Sequence, residues 1–346
     1  MPIFRGPICS IHWGMETTAI THAPSVWLAP MSGATDAPFR RQVVRFGGEL
    51  VVSEMTASEQ LIMSRPDVVR RACRHEGPGQ WIVQLAGRDP AHMKAASARL
   101  ARAGVDVIDI NMGCPSRKVT GGLSGSALMR EPELADRIIH ATLEGAGSVP
   151  VSLKMRLGWD DSSFNAPEIA ERAERAGIFR LTVHGRTRCQ FYKGKADWEK
   201  IADTVSAVDI PVIANGDIGS AEDARMALGL SNADGVMVGR AAIGRPWLIA
   251  QMEADLAGQI FDIPTHAARF QSLQQQIGDA VSLYGERTGV RVCRKHISAA
   301  LQDAFGESDQ VMLRALQTET CTIDSQHSLI ACLRSVFLDG PKRAVA

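Results

Sequence analysis

The sequence predicts an α/β fold, a (β/α)₈ TIM barrel followed by a smaller all-helical C-terminal domain. Three observations carry this. Eight short β-branched runs recur between residues 26 and 240, amphipathic segments lie between them, and after about residue 250 helical periodicity alone continues. Strands alternating with helices over roughly 220 residues are the pattern of a parallel barrel. A doubly wound sheet competes with it, but that fold would want G-x-G-x-x-G after its first strand, and "APMSGATD" does not supply it.

The runs, in order, are "VWLAPM" (26–31), "LVVSEM" (50–55), "WIVQLAG" (81–87), "VDVIDINMG" (105–113), "VPVSLKMR" (149–156), "RLTVHGR" (180–186), "IPVIANGD" (210–217) and "DGVMVGR" (234–240). Their near-continuous apolar character suits strands covered on both faces. Segments such as 90–103 and 132–144 start at a proline and end near glycine, the usual helix punctuation. Beyond the barrel, "RFQSLQQQIGDAVSLYGE", "VRVCRKHISAALQDAFG" and "HSLIACLRSVF" read as helices, with "GQIFDIP" (258–264) as the linker. The expected division is an N-terminal extension over 1–25, with Met15 as an alternative start, a catalytic barrel over 26–257 and a helical domain over 258–346.

Composition narrows the function. With 346 residues, 45% of them hydrophobic and 22% charged, the chain can bury a full core. Its formal net charge is zero, so a polyanion would have to be met by local patches. The seven cysteines are irregularly spaced without C-x-x-C, which argues against a disulfide framework or a structural metal site. No metal is expected. No run approaches the roughly 18–20 apolar residues of a membrane span, and the N-terminus lacks a signal peptide's apolar stretch. A soluble protein of the reducing cytoplasm is expected.

Barrel geometry then says where chemistry should sit, at the C-terminal ends of the strands. In "VSLKMR" Val151, Leu153 and Met155 should face the helices, leaving Ser152, Lys154 and Arg156 inward. The same count points Gln84 inward. Asp109 shares a parity with Asn111, and Thr182 with His184. An inward lysine at a barrel mouth is costly unless it meets an anion, a carbonyl or an electron-rich cofactor. The turns Asn215-Gly216-Asp217 and Gly239-Arg240, after strands seven and eight, occupy the recurring phosphate site of such barrels; plain loop turning is their bland alternative. Together these groups would suit FMN, with Lys154 by the pyrimidine edge of the ring and Gln84 on its polar rim. Cys114 stands apart: in "INMGCPSRKV" it has been carried just past the apolar run onto a Gly-Cys-Pro corner, not into the core.

At this point the chain resembles the tRNA-dihydrouridine synthases, most closely their bacterial B-type branch. The resemblance covers about residues 26–340 and rests on ten ordered motifs: "APMSGATDAPFR", "VSEM", "VQLAGRDP", "DINMGCPSRKV", "GSALMREP", "LKMRLGW", "TVHGRTR", "PVIANGDI", "GVMVGRAAIGRPW" and "RKHIS". It implies a flavoenzyme that reduces uridine in tRNA with FMN and NADPH or NADH. Carried over by position, Pro30, Met31 and Ser32 match the first FMN loop, where the family often has Ala at the third place. Gln84, Lys154, His184, Asn215, Gly216, Asp217, Gly239 and Arg240 match further FMN positions. Asn111 matches the reader of the uracil and Cys114 the general acid. Arg186 falls in the same family segment as His184 and is expected to face the substrate.

A thiol with a reference pKa near 8.5 is mostly protonated at neutral pH and can deliver a proton. Arg117 and Lys118 then stand where a phosphate could lie. The helical domain is expected to grip tRNA through Arg291, Arg294, Lys295 and His296, although residues 250–346 hold nine Lys/Arg against eleven Asp/Glu. The B-type likeness suggests a D-loop uridine near position 17. Two alternatives stay open: an FMN barrel acting on a small pyrimidine, of the dihydroorotate dehydrogenase kind, and a non-catalytic RNA-binding barrel.

Overall fold

The computed structural model describes residues 24–307 and 310–340. The N-terminal extension, save for its last two residues, lies outside the described residues. Eight parallel strands run in the order β1-β8-β7-β6-β5-β4-β3-β2: β1 Ser25–Leu28, β2 Thr56–Ala57, β3 Ile82–Ala86, β4 Val107–Met112, β5 Val151–Arg156, β6 Arg180–His184, β7 Val212–Asn215 and β8 Gly235–Val238. The circle closes through a bridge between Leu28 and Val51, with the Leu28 N–H donating to Leu50 O at 2.8 Å. Closure between β1 and β8 needs a glycine, because a Cβ on Gly235 would lie 2.5 Å from Ser25 Oγ. The run 50–55 is a correction to the expected second strand. Val51 and Val52 make single bridges, and regular pairing resumes only at Thr56–Ala57. Glu54 is turned instead to accept the Gly33 N–H.

The expected alternation in β5 is realised. Val151, Leu153 and Met155 pack into the core beneath the helices, while Ser152, Lys154 and Arg156 bond to groups inside the barrel. Register stacks the interior in rows: Gln84, Asp109, Ser152 and Arg180 are successive partners across β3–β6, and Arg156, His184 and Asn215 form a higher row across β5–β7. An apolar plug that includes Trp27, Ile82 and Val107 fills the floor. Above Trp27 lies the Arg180 guanidinium, 3.8 Å from the ring centre.

The C-terminal region has its own core, built on the helices His266–Tyr284, Glu286–Phe305, Gln310–Thr322 and Gln326–Arg334. The segment 310–322 is a helix that its hydrophobic pattern does not announce, for its buried stripe is thin, only Leu313, Leu316 and Thr320. The region docks on the barrel helix Ala37–Arg45. His296 stacks on Phe39 at 4.3 Å, Arg41 pairs with Asp279 at 2.8 Å, and Ser272 donates to Gln42. Among the described residues, no helix is long and apolar enough to cross a membrane.

Candidate active site

At the C-terminal ends of the strands opens a cleft of about 1110 Å³, lined by residues from the β1 loop, β3–β7, the loop after β8 and the helical region. Its floor is polar because the barrel interior there carries the inward set. Gln84 donates from Nε2 to Asp109 Oδ2 at 2.7 Å and accepts at Oε1 from Asn111 Nδ2 at 2.7 Å. Asn111 Oδ1 in turn accepts the N–H groups of Gly113 (3.3 Å) and Cys114 (3.0 Å). Each amide thus keeps one N–H outside this network, and both residues line the cleft.

Lys154 donates to Asn215 Oδ1 at 2.8 Å, and Asn215 is fixed by donating to Met237 O at 2.7 Å. Burial, then the repulsion of Arg156, pushes the Lys154 ammonium down to about 8. His184 is held neutral by burial and by the surrounding cations, and its Nδ1 is buried without a partner. Gly216 has φ +119°, and a Cβ there would stand 2.8 Å from Ala196 Cβ and 3.2 Å from His184 Cε1. Only glycine keeps that backbone surface open. Asp217, at φ +55°, also turns left-handed. The cleft-lining side chains include Lys118, Lys154, Arg156, Arg240 and Lys295, against Asp217 as the single acid. That donor set, an open glycine turn and a half-buried ammonium bonded to an amide fit a flat, electron-rich ring with an anionic phosphate tail, which is what FMN is.

The Cys114 corner is anchored by its backbone. Ser126 donates to Cys114 O from N (3.1 Å) and Oγ (2.8 Å), and Arg156 Nε donates to Gly113 O at 2.8 Å. The thiol is half-buried at the cleft wall. Burial raises its pKa above the ordinary value, against the opposing pull of the Ser116 N–H and of Arg156 and Lys154. It is a protonated thiol at neutral pH.

Most of the residues singled out in the sequence meet here: Pro30, Met31, Ser32, Gln84, Asn111, Cys114, Lys154, His184, Asn215, Gly216, Asp217, Gly239, Arg240 and Lys295 all line the cleft. Arg186 does not. It is 1% exposed and spends its guanidinium on the Asp217 carboxylate, Lys193 O and Gly194 O. Its place is behind the Asn-Gly-Asp turn, not in front of the substrate.

His296 is likewise corrected, because its face of the helix Glu286–Phe305 is the one packed on Phe39. Arg291 and Lys295 are exposed, Lys295 donates to Gly33 O in the first loop, and Arg294 pairs with Asp324 at 2.6 Å. Exposed Arg287 extends the stripe as 287-291-295, an i, i+4, i+8 row that the sequence motifs did not single out. Neither did they single out Phe191 and Tyr192, from the loop after β6. The Arg156 and Arg240 guanidinia approach the Tyr192 ring centre to 5.5 and 5.3 Å. Loop aromatics carry no periodicity that would have flagged them. Among the described residues no three His, Cys, Asp or Glu side chains gather as a metal site.

The family model described as "Dihydrouridine synthase (Dus)" matches residues 27–336. A Rhodobacter capsulatus protein named "Probable tRNA-dihydrouridine synthase" is 50% identical over 316 residues, 91% of this chain and 95% of that protein. A Rickettsia conorii protein of the same name is 48% identical over 275 residues, covering 79% of this chain and 83% of its own. "tRNA-dihydrouridine synthase B" of Xanthomonas axonopodis pv. citri is 42% identical over 316 residues, with coverages of 91% and 94%.

Proposed function

The chain belongs to the dihydrouridine synthase family and is a flavin-dependent enzyme that reduces uridine in tRNA, and on that premise we propose how its cleft performs the reaction. The flavin is FMN, and when bound and reduced by NADPH or NADH it supplies the hydride for C6 of the uracil. The Pro30-Met31-Ser32 loop, Gln84, Lys154 and His184 hold the ring. Asn215, Gly216, Asp217, Gly239 and Arg240 hold the phosphate end, with Arg186 bracing Asp217 from behind. Asn111 reads the base through its free N–H, and Cys114 delivers the proton to C5. The observation that carries this reading is the Cys114 thiol, set on a backbone-anchored corner in the lining of the cleft that also holds Lys154.

The uridine has to leave its stack to reach this cleft. Tyr192, exposed in the lining of the cleft, offers it a planar surface. The catalytic unit is residues 26–257 and the tRNA-gripping unit residues 258–346, acting through Arg287, Arg291 and Lys295, while Arg294 is spent on Asp324. A D-loop uridine near position 17 is the target, in the cytoplasm. Purification should give a yellow protein with one noncovalent FMN per chain, and dihydrouridine mapping in tRNA from a deletion strain should show one D-loop position lost. A colourless protein that FMN cannot reconstitute, or an unchanged map, would overturn the assignment.

Lys154 gives a pH test with a definite sign. Its charged form attracts the anionic cofactor, and in the free protein that form is lost as pH rises through about 8. Binding raises this pKa, so FMN affinity of the apoprotein should be flat below pH 8 and fall above it. The phosphate, with its second pKa near 6, does not titrate in that window. Fluorescence titrations of FMN between pH 6.5 and 9.5 check the slope, and Lys154→Ala should bind more weakly with the slope gone. The same slope in the variant would remove Lys154 from the role.

A further inference from the structure

The hydrogen bonds beneath the cleft run in one direction only, and that direction is set at their buried end. Ser152 Oγ receives an N–H from Arg180 at 3.4 Å, so its own hydrogen goes to Asp109 Oδ1 at 2.7 Å. Asp109 is 4% exposed; burial raises its pKa, but both its oxygens accept, from Ser152 and from Gln84, which is the bonding pattern of a carboxylate, and Arg180 and Lys154 favour that form. A planar amide that donates from one end presents its oxygen at the other. Gln84, donating to Asp109, therefore accepts from Asn111, and Asn111 turns its oxygen to the N–H groups of Gly113 and Cys114. Backbone N–H groups can only donate. The corner needs an acceptor, and the only member of the chain that can do nothing but accept, when ionised, is Asp109.

We propose that Asp109 is a positioning residue: it fixes the orientation of the Gln84 and Asn111 amides and thereby holds the Cys114 corner. The functional weight of this rests on Cys114 being the acid, but the hydrogen-bond polarity does not.

Asp109→Asn tests it. The buried Arg180 charge keeps the oxygen of the introduced amide on the Ser152 side, so its nitrogen meets the nitrogen of Gln84. Two facing donors force Gln84 to turn, then Asn111, and the corner loses its acceptor. A buried donor left unpaired opens more readily by about tenfold or more. Hydrogen–deuterium exchange resolved at Gly113 and Cys114 should accelerate by at least that factor. Asp109→Asn/Gln84→Glu returns an acceptor-only group to the middle of the chain. It accepts from the introduced amide and from Asn111, so exchange should return to within about threefold of wild type.

A packing role for Asp109 would not be rescued by the second change. Unchanged exchange in Asp109→Asn, or no recovery in the double variant, overturns the proposal. Should the single variant not fold, the double variant's exchange decides alone. If exchange behaves as stated while Cys114→Ala reoxidises normally, the relay stands and the acid assignment falls.

Discussion

With Cys114 replaced by alanine, the protein should keep its fold, its flavin and its reduction by NADPH, and lose most of its tRNA-dependent reoxidation. The corner does not depend on the sulfur. Its backbone is held at the Cys114 carbonyl by Ser126, at the Cys114 N–H by Asn111 and at the Gly113 carbonyl by Arg156. On the proposed mechanism the change removes the proton donor at C5 of the uracil, leaving an unpositioned water in its place. General acids are worth about 10²–10⁴-fold, and stopped-flow reoxidation of reduced enzyme by unmodified tRNA should slow by that order. Because burial lifts the thiol above its ordinary value near 9, the wild-type rate should stay flat through neutral pH and fall only as pH rises beyond that value. The variant should lack that fall. A purely structural cysteine predicts the reverse, a lowered melting temperature with reoxidation retained. Near-wild-type reoxidation in Cys114→Ala would falsify its role as the acid.

Seven of the eight strands and the polar floor of the cleft were legible in the sequence for one physical reason. Parallel barrel strands are buried on both faces, so any polar residue inside an apolar run, such as Gln84 or Lys154, is there at an energetic cost and faces the interior. The corner cysteine was legible because it had left the run. What stayed hidden depends on partners distant in sequence. Arg186 reads as a substrate-facing base until Asp217, 31 residues on, is seen to take its guanidinium. The Asp109 relay spans Gln84 to Ser152 and needs barrel register to assemble. The basic cluster 294–296 looked continuous because its members are neighbours in the chain, although successive residues of a helix point about 100° apart. Packing on Phe39 took His296 out of it.

The helical region should carry a separable share of tRNA affinity, and the row Arg287, Arg291, Lys295 says how to separate it. The row follows the helix Glu286–Phe305 toward the cleft mouth, where Lys295 meets Gly33 O of the first loop. Arg287 and Arg291 are exposed and do not line the cleft, so their reversal to glutamate changes the field met by RNA without altering a side chain of the flavin site. Each phosphate that the row ceases to neutralise keeps its counterions, and this flattens the plot of log affinity against log salt by about 0.7–0.9. For Arg287→Glu/Arg291→Glu the slope should therefore fall by up to about two, with tRNA affinity weakened on the order of tenfold to a hundredfold near physiological salt. Reduction of bound flavin by NADPH, which needs no RNA, should be unchanged. Lys295→Ala should act differently: besides weakening tRNA binding it frees the Gly33 carbonyl, so flavin retention should drop as well. Arg294→Ala should do least, since Asp324 already neutralises it. Filter-binding titrations across a salt series, run beside anaerobic flavin reduction, distinguish these three patterns. If the double reversal leaves both affinity and slope unchanged, the tRNA lies on another face and the row is only a solvated edge of the helix.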